Sequence, residues 1–91
     1  MKIIFDPKKR NRTFEERGLA FEDAAVVFEG TTVEFGDLRQ DYGESRIICF
    51  GYLEHRLVVI GYVNRAGSRH IFSMRKANER ERKKIEPYFS L

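Results

Sequence analysis

An α+β domain built on an antiparallel meander is what this 91-residue chain predicts, and three features of it say so. Apolar residues recur at helical spacing before Gly30, the stretch from Thr31 to Arg75 is rich in β-branched and aromatic residues broken by turn formers, and a dense run of charge follows. Two N-terminal helices, strands paired in sequence order and one C-terminal helix are the expected layout.

Lys2 to Phe5 reads as a short edge strand. It ends at Asp6-Pro7, where Asp is a good N-cap and Pro suits the first helical position. The helix that starts there runs to Gly18, a residue free to take the positive φ found after a helix end. Phe14 is its only large apolar side chain between residues 8 and 17, so it lies on the surface with Lys8, Lys9, Arg10 and Arg12 facing water. Phe21, Ala24, Ala25 and Phe28 then follow the i, i+3, i+4, i+7 pattern of a helix with one buried stripe, ending near Gly30.

Thr31–Phe35 predicts a strand, with breaks at Gly36-Asp37 and Asp41-Tyr42-Gly43. Arg46–Leu53 and Arg56–Asn64 are apolar runs joined by Glu54-His55, a tight hairpin, and both are apolar on two faces, so each side of the sheet needs cover over part of its length. A second turn, Arg65-Ala66-Gly67-Ser68, leads into a strand over residues 69–75. Strict alternation puts Arg69, Ile71, Ser73 and Arg75 on one face and His70, Phe72 and Met74 on the other. The last helix, residues 76–86, aligns Met74, Ala77, Glu81, Ile85 and Tyr88 into an apolar stripe that Glu81 interrupts. Lys76, Arg80, Arg82, Lys83 and Lys84 occupy its other sides, and Tyr88 and Phe89 can close the core.

At this length a single domain, residues 1–91, buries about 60–65% of its unfolded surface, which makes a small core. A 42% hydrophobic and 13% aromatic composition with two prolines is that of a folded chain rather than a disordered one. No apolar run reaches the roughly 20 residues of a membrane helix, and the start lacks the apolar core of a signal peptide, so a soluble cytoplasmic protein is expected. The single cysteine, Cys49, sits in an apolar run and is expected to be buried and inert. Residues 1–45 hold 7 basic and 10 acidic side chains, residues 46–91 hold 10 basic and 4 acidic, and the net +3 therefore hides a cationic C-terminal half. That half suits a polyanion, and two arginines on one rigid strand suit a phosphate backbone, because guanidinium offers paired planar donors and a permanent charge. No recognition-helix motif for DNA is present. His70 is expected in the core beside Phe72 and Met74, His55 in an exposed turn, and the two give no metal-ligand spacing.

Asp6-Pro7-Lys8-Lys9, Gly18 with Phe21-Glu22-Asp23-Ala24 and Val27-Phe28, Tyr42-Gly43-Glu44-Ser45-Arg46, and Arg69-x-Ile71-x-Ser73-x-Arg75-Lys76-Ala77 occur in the order and spacing of a known family. In these residues the chain resembles the BrnT family, the toxin half of bacterial type II toxin–antitoxin pairs, from residue 5 to about 82. The resemblance implies a sheet similar to RelE-type toxins, ribonuclease activity with no metal or other cofactor, and inhibition by a BrnA-type antitoxin that itself binds operator DNA. A heterotetramer with two copies of each partner is the assembly it suggests. The family usually carries Trp where this chain has Phe5, and Asn, Lys and His where it has Thr13, Glu16 and Arg17. An arginine cannot release its proton near neutral pH, so position 17 here cannot carry one.

RNA can be cleaved by its own 2′-hydroxyl if a protein aligns the groups, stabilises the phosphate and assists proton movement. With the resemblance, that chemistry assigns Arg46 and Arg75, supported by Arg69, to the phosphate, Lys9 as a contributor from the first helix, and Glu44 as the base. Ser73 and Lys76 are further RNA-binding candidates. Each has a structural counterpart: Glu44 pairing with Arg46 or capping a turn, Ser73 tied to the backbone, the arginines as solvated strand-end charges. The alternative function is a catalytically inactive toxin-like domain that binds an antitoxin or RNA.

Overall fold

A computed structural model of the chain describes residues 2–39 and 43–90. Asp41 and Tyr42, expected in the loop before the third strand, lie outside the described residues. Strands β1 (Lys2–Phe5), β2 (Thr32–Gly36), β3 (Arg46–Leu53), β4 (Arg56–Arg65) and β5 (Ser68–Lys76) form one sheet in the order β1-β5-β4-β3-β2. Pairs β2/β3, β3/β4 and β4/β5 are antiparallel, but β1 runs parallel to β5, with Lys2 opposite Ser68 and Phe5 opposite Ile71. The sheet is therefore mixed, which corrects the expectation of an antiparallel one. The helices after β1 carry the chain across one face to the far edge at β2, and the three hairpin reversals that follow return β5 to the side of β1 in the same direction.

Helix α1 (Pro7–Arg17) begins as its sequence dictates, with the Asp6 carboxylate accepting from the Lys8 N–H at 3.0 Å and Pro7 in the first turn. Gly18 ends it at φ 70°, and its N–H donates to the Phe14 carbonyl. Phe21–Asp23 form a 3-10 turn before α2 (Ala24–Glu29). The buried stripe is Phe21, Ala24 and Val27, while Ala25 is exposed and Phe28 half-buried, because the tighter first turn shifts the phase of the pattern. Gly30 caps α2 in an extended conformation.

Glu54 and His55 both adopt positive φ, 49° and 66°, as a two-residue hairpin turn demands. The last helix starts later than its periodicity suggests. Arg75 and Lys76 stay in the sheet opposite Val59 and Val58, and α3 (Glu79–Ile85) opens at Asn78, whose side chain accepts from the Glu81 N–H at 2.8 Å while Glu81 accepts from the Asn78 N–H at 2.9 Å. That reciprocal pair is a capping box, and it sets the boundary. A 3-10 turn, Glu86–Phe89, follows, capped by Ser90.

Each side of the sheet is covered, but unequally. On the helix side, Leu19, Phe21, Ala24 and Val27 pack on Cys49, Val58, Ile60, Tyr62, Ile71 and Met74. On the other side a smaller cluster joins Phe50, Leu57 and Val59 to Ile85, with Phe89 and Ala77 at its edge. The rest of that second face is left open and polar. Among the described residues no helix is long and apolar enough to cross a membrane.

Candidate functional site

Register decides which side chains share the open face. Cross-strand partners point the same way, so Arg46, opposite Val63, shares a face with His70, which is also opposite Val63. Further along β5, Ser73 faces the same way opposite Gly61, and so does Arg75 opposite Val59. Between them the ladder slips: Tyr62 pairs with Ile71 and Gly61 with Ser73, leaving Phe72 as an extra residue. This β-bulge inverts the alternation. Ile71 and Met74, odd and even, both face the helices and are fully buried there. The expectation that Arg69, Ile71, Ser73 and Arg75 share one face is thereby corrected, as is the placing of His70 beside Met74.

The bulge has room because Gly61 lacks a side chain. A Cβ there would meet Ser73 Oγ at 2.5 Å and the Phe72 ring at 2.7 Å. Phe72 is turned onto the open face, where the Arg46 guanidinium stacks on its ring at 4.5 Å. Beside it a groove of about 500 Å³ is lined by Asp37, Arg39, Ile48, Phe72, Ser73, Arg75 and Glu81, among others. Arg46 and Arg75 stand opposite Val63 and Val59. Four residues of strand separate those positions, about 13 Å, so the two arginines address a length of backbone rather than one phosphate.

Charge on this face is extensively self-paired. Arg75 donates from both terminal nitrogens to Glu81, each bond 2.7 Å, and Arg65 donates to Glu44 at 2.8 Å. Arg39 donates to Asp37 at 2.8 Å. Hydrogen bonding to Arg75 holds the Glu81 carboxyl below its usual range, and hydrogen bonding to Arg65 does the same for Glu44. Glu44 is thus the ion-pair partner of Arg65, in place of the expected pairing with Arg46 or turn cap.

Arg69, Lys9 and Lys76 are elsewhere. Arg69 faces the helices, its guanidinium 4.4 Å from the Phe28 ring centroid and 4.7 Å from that of Tyr62. Its buried Nε has no hydrogen-bond partner among the described residues. Beneath it the Tyr62 hydroxyl donates to Glu34 at 2.5 Å, and burial followed by that bond pushes the phenol pKa up. The Cys49 thiol, buried in the same layer, is pushed up to about 12, chiefly by desolvation. Lys9 is exposed on α1, which packs against β5 and the Phe21–Asp23 turn on the helix side. Lys76, exposed, points with Val58 toward the helix side at the end of β5. Arg17 donates to the Met74 carbonyl at 3.0 Å, so position 17 ties the end of α1 to β5. Arg46, Ser73 and Arg75 are brought onto one face, with Glu44 alongside through Arg65.

Two members of that face escape an alternation rule. His70 Nδ1 lies 3.1 Å from Arg65 Nη1, and Glu81 sits in the groove rather than interrupting a helix stripe. A signal for the first existed: a glycine inside an otherwise continuous apolar strand, Val59-Ile60-Gly61-Tyr62, is a mark of a bulge or of close backbone approach. Among the described residues no three His, Cys, Asp or Glu side chains are grouped to hold a metal ion.

A family model described as the ribonuclease toxin, BrnT, of type II toxin–antitoxin systems matches residues 5–81. No curated protein matches the chain.

Proposed function

The chain belongs to the BrnT family of ribonuclease toxins of type II toxin–antitoxin systems, and from that membership we propose that it is an endoribonuclease working on the open face of its sheet. The observation that carries the reading is the gathering of Arg46, Ser73 and Arg75 on that face around the stacked Phe72, with Ser73 and Arg75 lining a groove of about 500 Å³ beside it.

In the proposed reaction the 2′-oxygen attacks the adjacent phosphorus as the 5′-oxygen leaves. The proton of the 2′-hydroxyl passes to solvent water and solvent water delivers one to the 5′-oxygen, giving a 2′,3′-cyclic phosphate and a 5′-hydroxyl. No metal is required by this transesterification, because positioned cations can stabilise the phosphoryl oxygens. Arg46 supplies that charge at the reacting phosphate, Arg75 and Ser73 hold a neighbouring phosphate further along the strand, and Phe72 offers an aromatic surface on which a base can stack. Arg75 reaches its phosphate by exchanging one carboxylate oxygen of Glu81 for one of RNA. Lys9, Arg69 and Lys76 have no part in the reaction as proposed. Glu44 acts through Arg65 rather than as the base.

Family membership implies an antitoxin partner. A BrnA-like protein, two copies of each chain, contact with operator DNA through the antitoxin alone, likeness to RelE-type toxins and a cytoplasmic setting complete the proposal. A second reading, an inactive domain that binds antitoxin or RNA, draws on the carboxylates that clamp Arg39, Arg65 and Arg75.

Incubating the purified protein with end-labelled RNA, with and without a chelator, separates the two. Cleavage should persist in chelator and fall about 100-fold in Arg46→Ala, the usual loss when one transition-state donor is removed. Intact RNA at high protein concentration leaves the binding reading standing and ends the enzymatic one.

A further inference from the structure

We propose that His70 donates a hydrogen bond from Nε2 to the RNA phosphate as a neutral imidazole, and that Arg65, itself held by Glu44, fixes the ring in that form. The inference rests on the ribonuclease reading of the open face and adds to it a residue and a protonation state.

Arg46, Val63 and His70 form one row across three strands, all pointing to the open face, and Val63 is buried beneath the two polar side chains. Arg46 spans this row, since its guanidinium reaches the ring of Phe72 on β5, two residues from His70. A phosphate above Val63 therefore has a guanidinium on one side and an imidazole on the other. The imidazole is not free to choose its tautomer. Arg65 Nη1 lies 3.1 Å from His70 Nδ1, and a guanidinium has hydrogens to give and no lone pair to accept with, so Nδ1 must be the acceptor. A ring that accepts at Nδ1 carries its single proton on Nε2, the nitrogen farther from Arg65. An imidazolium has no acceptor nitrogen and cannot make this contact. Arg65 is kept in place by Glu44, to which its Nε and Nη2 donate at 3.2 and 2.8 Å. Carboxylate, guanidinium and imidazole thus make a chain that ends at Nε2–H, which makes no hydrogen bond to protein among the described residues. The groups charged or titratable around the ring are Arg65 and Glu44 at the hairpin end, Arg46 across β4, and Lys2 on the neighbouring β1, which pairs with Ser68 on the same side.

A neutral donor of this kind stabilises phosphoryl charge and transfers no proton, so a different group that places an N–H at the Nε2 position can replace it. Glutamine does so; alanine does not. Three proteins carry the test, His70→Gln, His70→Ala and Arg65→Met, each assayed on the same end-labelled RNA across pH and each checked for folding by thermal melting. His70→Ala should lose about 100-fold in cleavage and His70→Gln should stay within about tenfold of the parent, with the same pH profile. A Gln variant as poor as the Ala variant would make His70 a proton carrier and overturn the proposal, and an unimpaired Ala variant would remove it from the site. Nitrogen-15 shifts of His70 in the RNA-free protein give a readout that does not depend on turnover. A protonated Nε2 and bare Nδ1 that change in Arg65→Met support the arrangement, while a ring protonated at Nδ1 overturns it. If the parent leaves RNA intact yet shows the predicted tautomer, the ribonuclease reading has failed and the donor role to RNA falls with it, whereas the fixed tautomer stands.

Discussion

Glu81 has two duties. Its carboxylate closes the capping box of α3 and takes both terminal nitrogens of Arg75. The periodicity of the last helix made it a blemish in an apolar stripe, because nothing in a one-dimensional pattern says that a strand cation stands opposite. Glu81→Ala should cost about 1–2 kcal/mol at pH 7, a charged hydrogen-bonded pair discounted for partial exposure. The sign of its pH dependence follows from the lowered folded-state pKa. The stabilisation is complete above the unfolded carboxylate value of about 4.3 and is lost as pH falls through the lower folded value, so parent and variant should converge in denaturant melts taken well below pH 4. Arg69 illustrates the opposite lesson. Its spacing from Arg75 in the sequence matches a shared strand face, and the bulge at Phe72 separates them. Stacked on Phe28 and Tyr62, Arg69 contributes packing as well as charge.

At the scale of elements, two glycines let other parts approach. Gly61 admits the Phe72 bulge. Gly51 lets α2 rest directly on β3, since a Cβ there would lie 2.5 Å from Val27 Cγ1 in the core. Gly51→Ala should therefore destabilise the fold by about 1–3 kcal/mol, an overpacking cost, seen as a lower midpoint in chemical unfolding with little change in slope. The strand bounds of β3 and the two hairpin turns were legible in the chain because turn residues and apolar runs are local signals. The start of α3 was not read correctly from its charge pattern, although Asn78 and Glu81 spell a capping box three residues apart. There, pairing of Arg75 and Lys76 with β4 outweighs helical propensity.

The whole molecule is a sheet with a well-covered face and a half-covered one, and the excess of cations in the second half of the chain is divided between them. This division has a measurable consequence for RNA binding. Arg46→Ala should weaken binding and reduce the magnitude of its log–log salt slope by about 0.7, the share of one phosphate contact on a single strand. Arg69→Ala should leave that slope unchanged and lower thermal stability instead, by about 1 kcal/mol from lost stacking. A common effect of both changes on the slope would mean that RNA contacts both faces. By itself the sequence determined the α+β class, the strand and turn positions, the buried cysteine and the family, because these rest on local periodicity, turn chemistry and motif spacing. Only tertiary structure decided that β1 runs parallel to β5, that one extra residue in β5 reverses its faces, and that Arg65 and His70 meet. Which face a side chain takes depends on the register of a partner strand, and register is a property of the pair that neither strand's sequence carries alone.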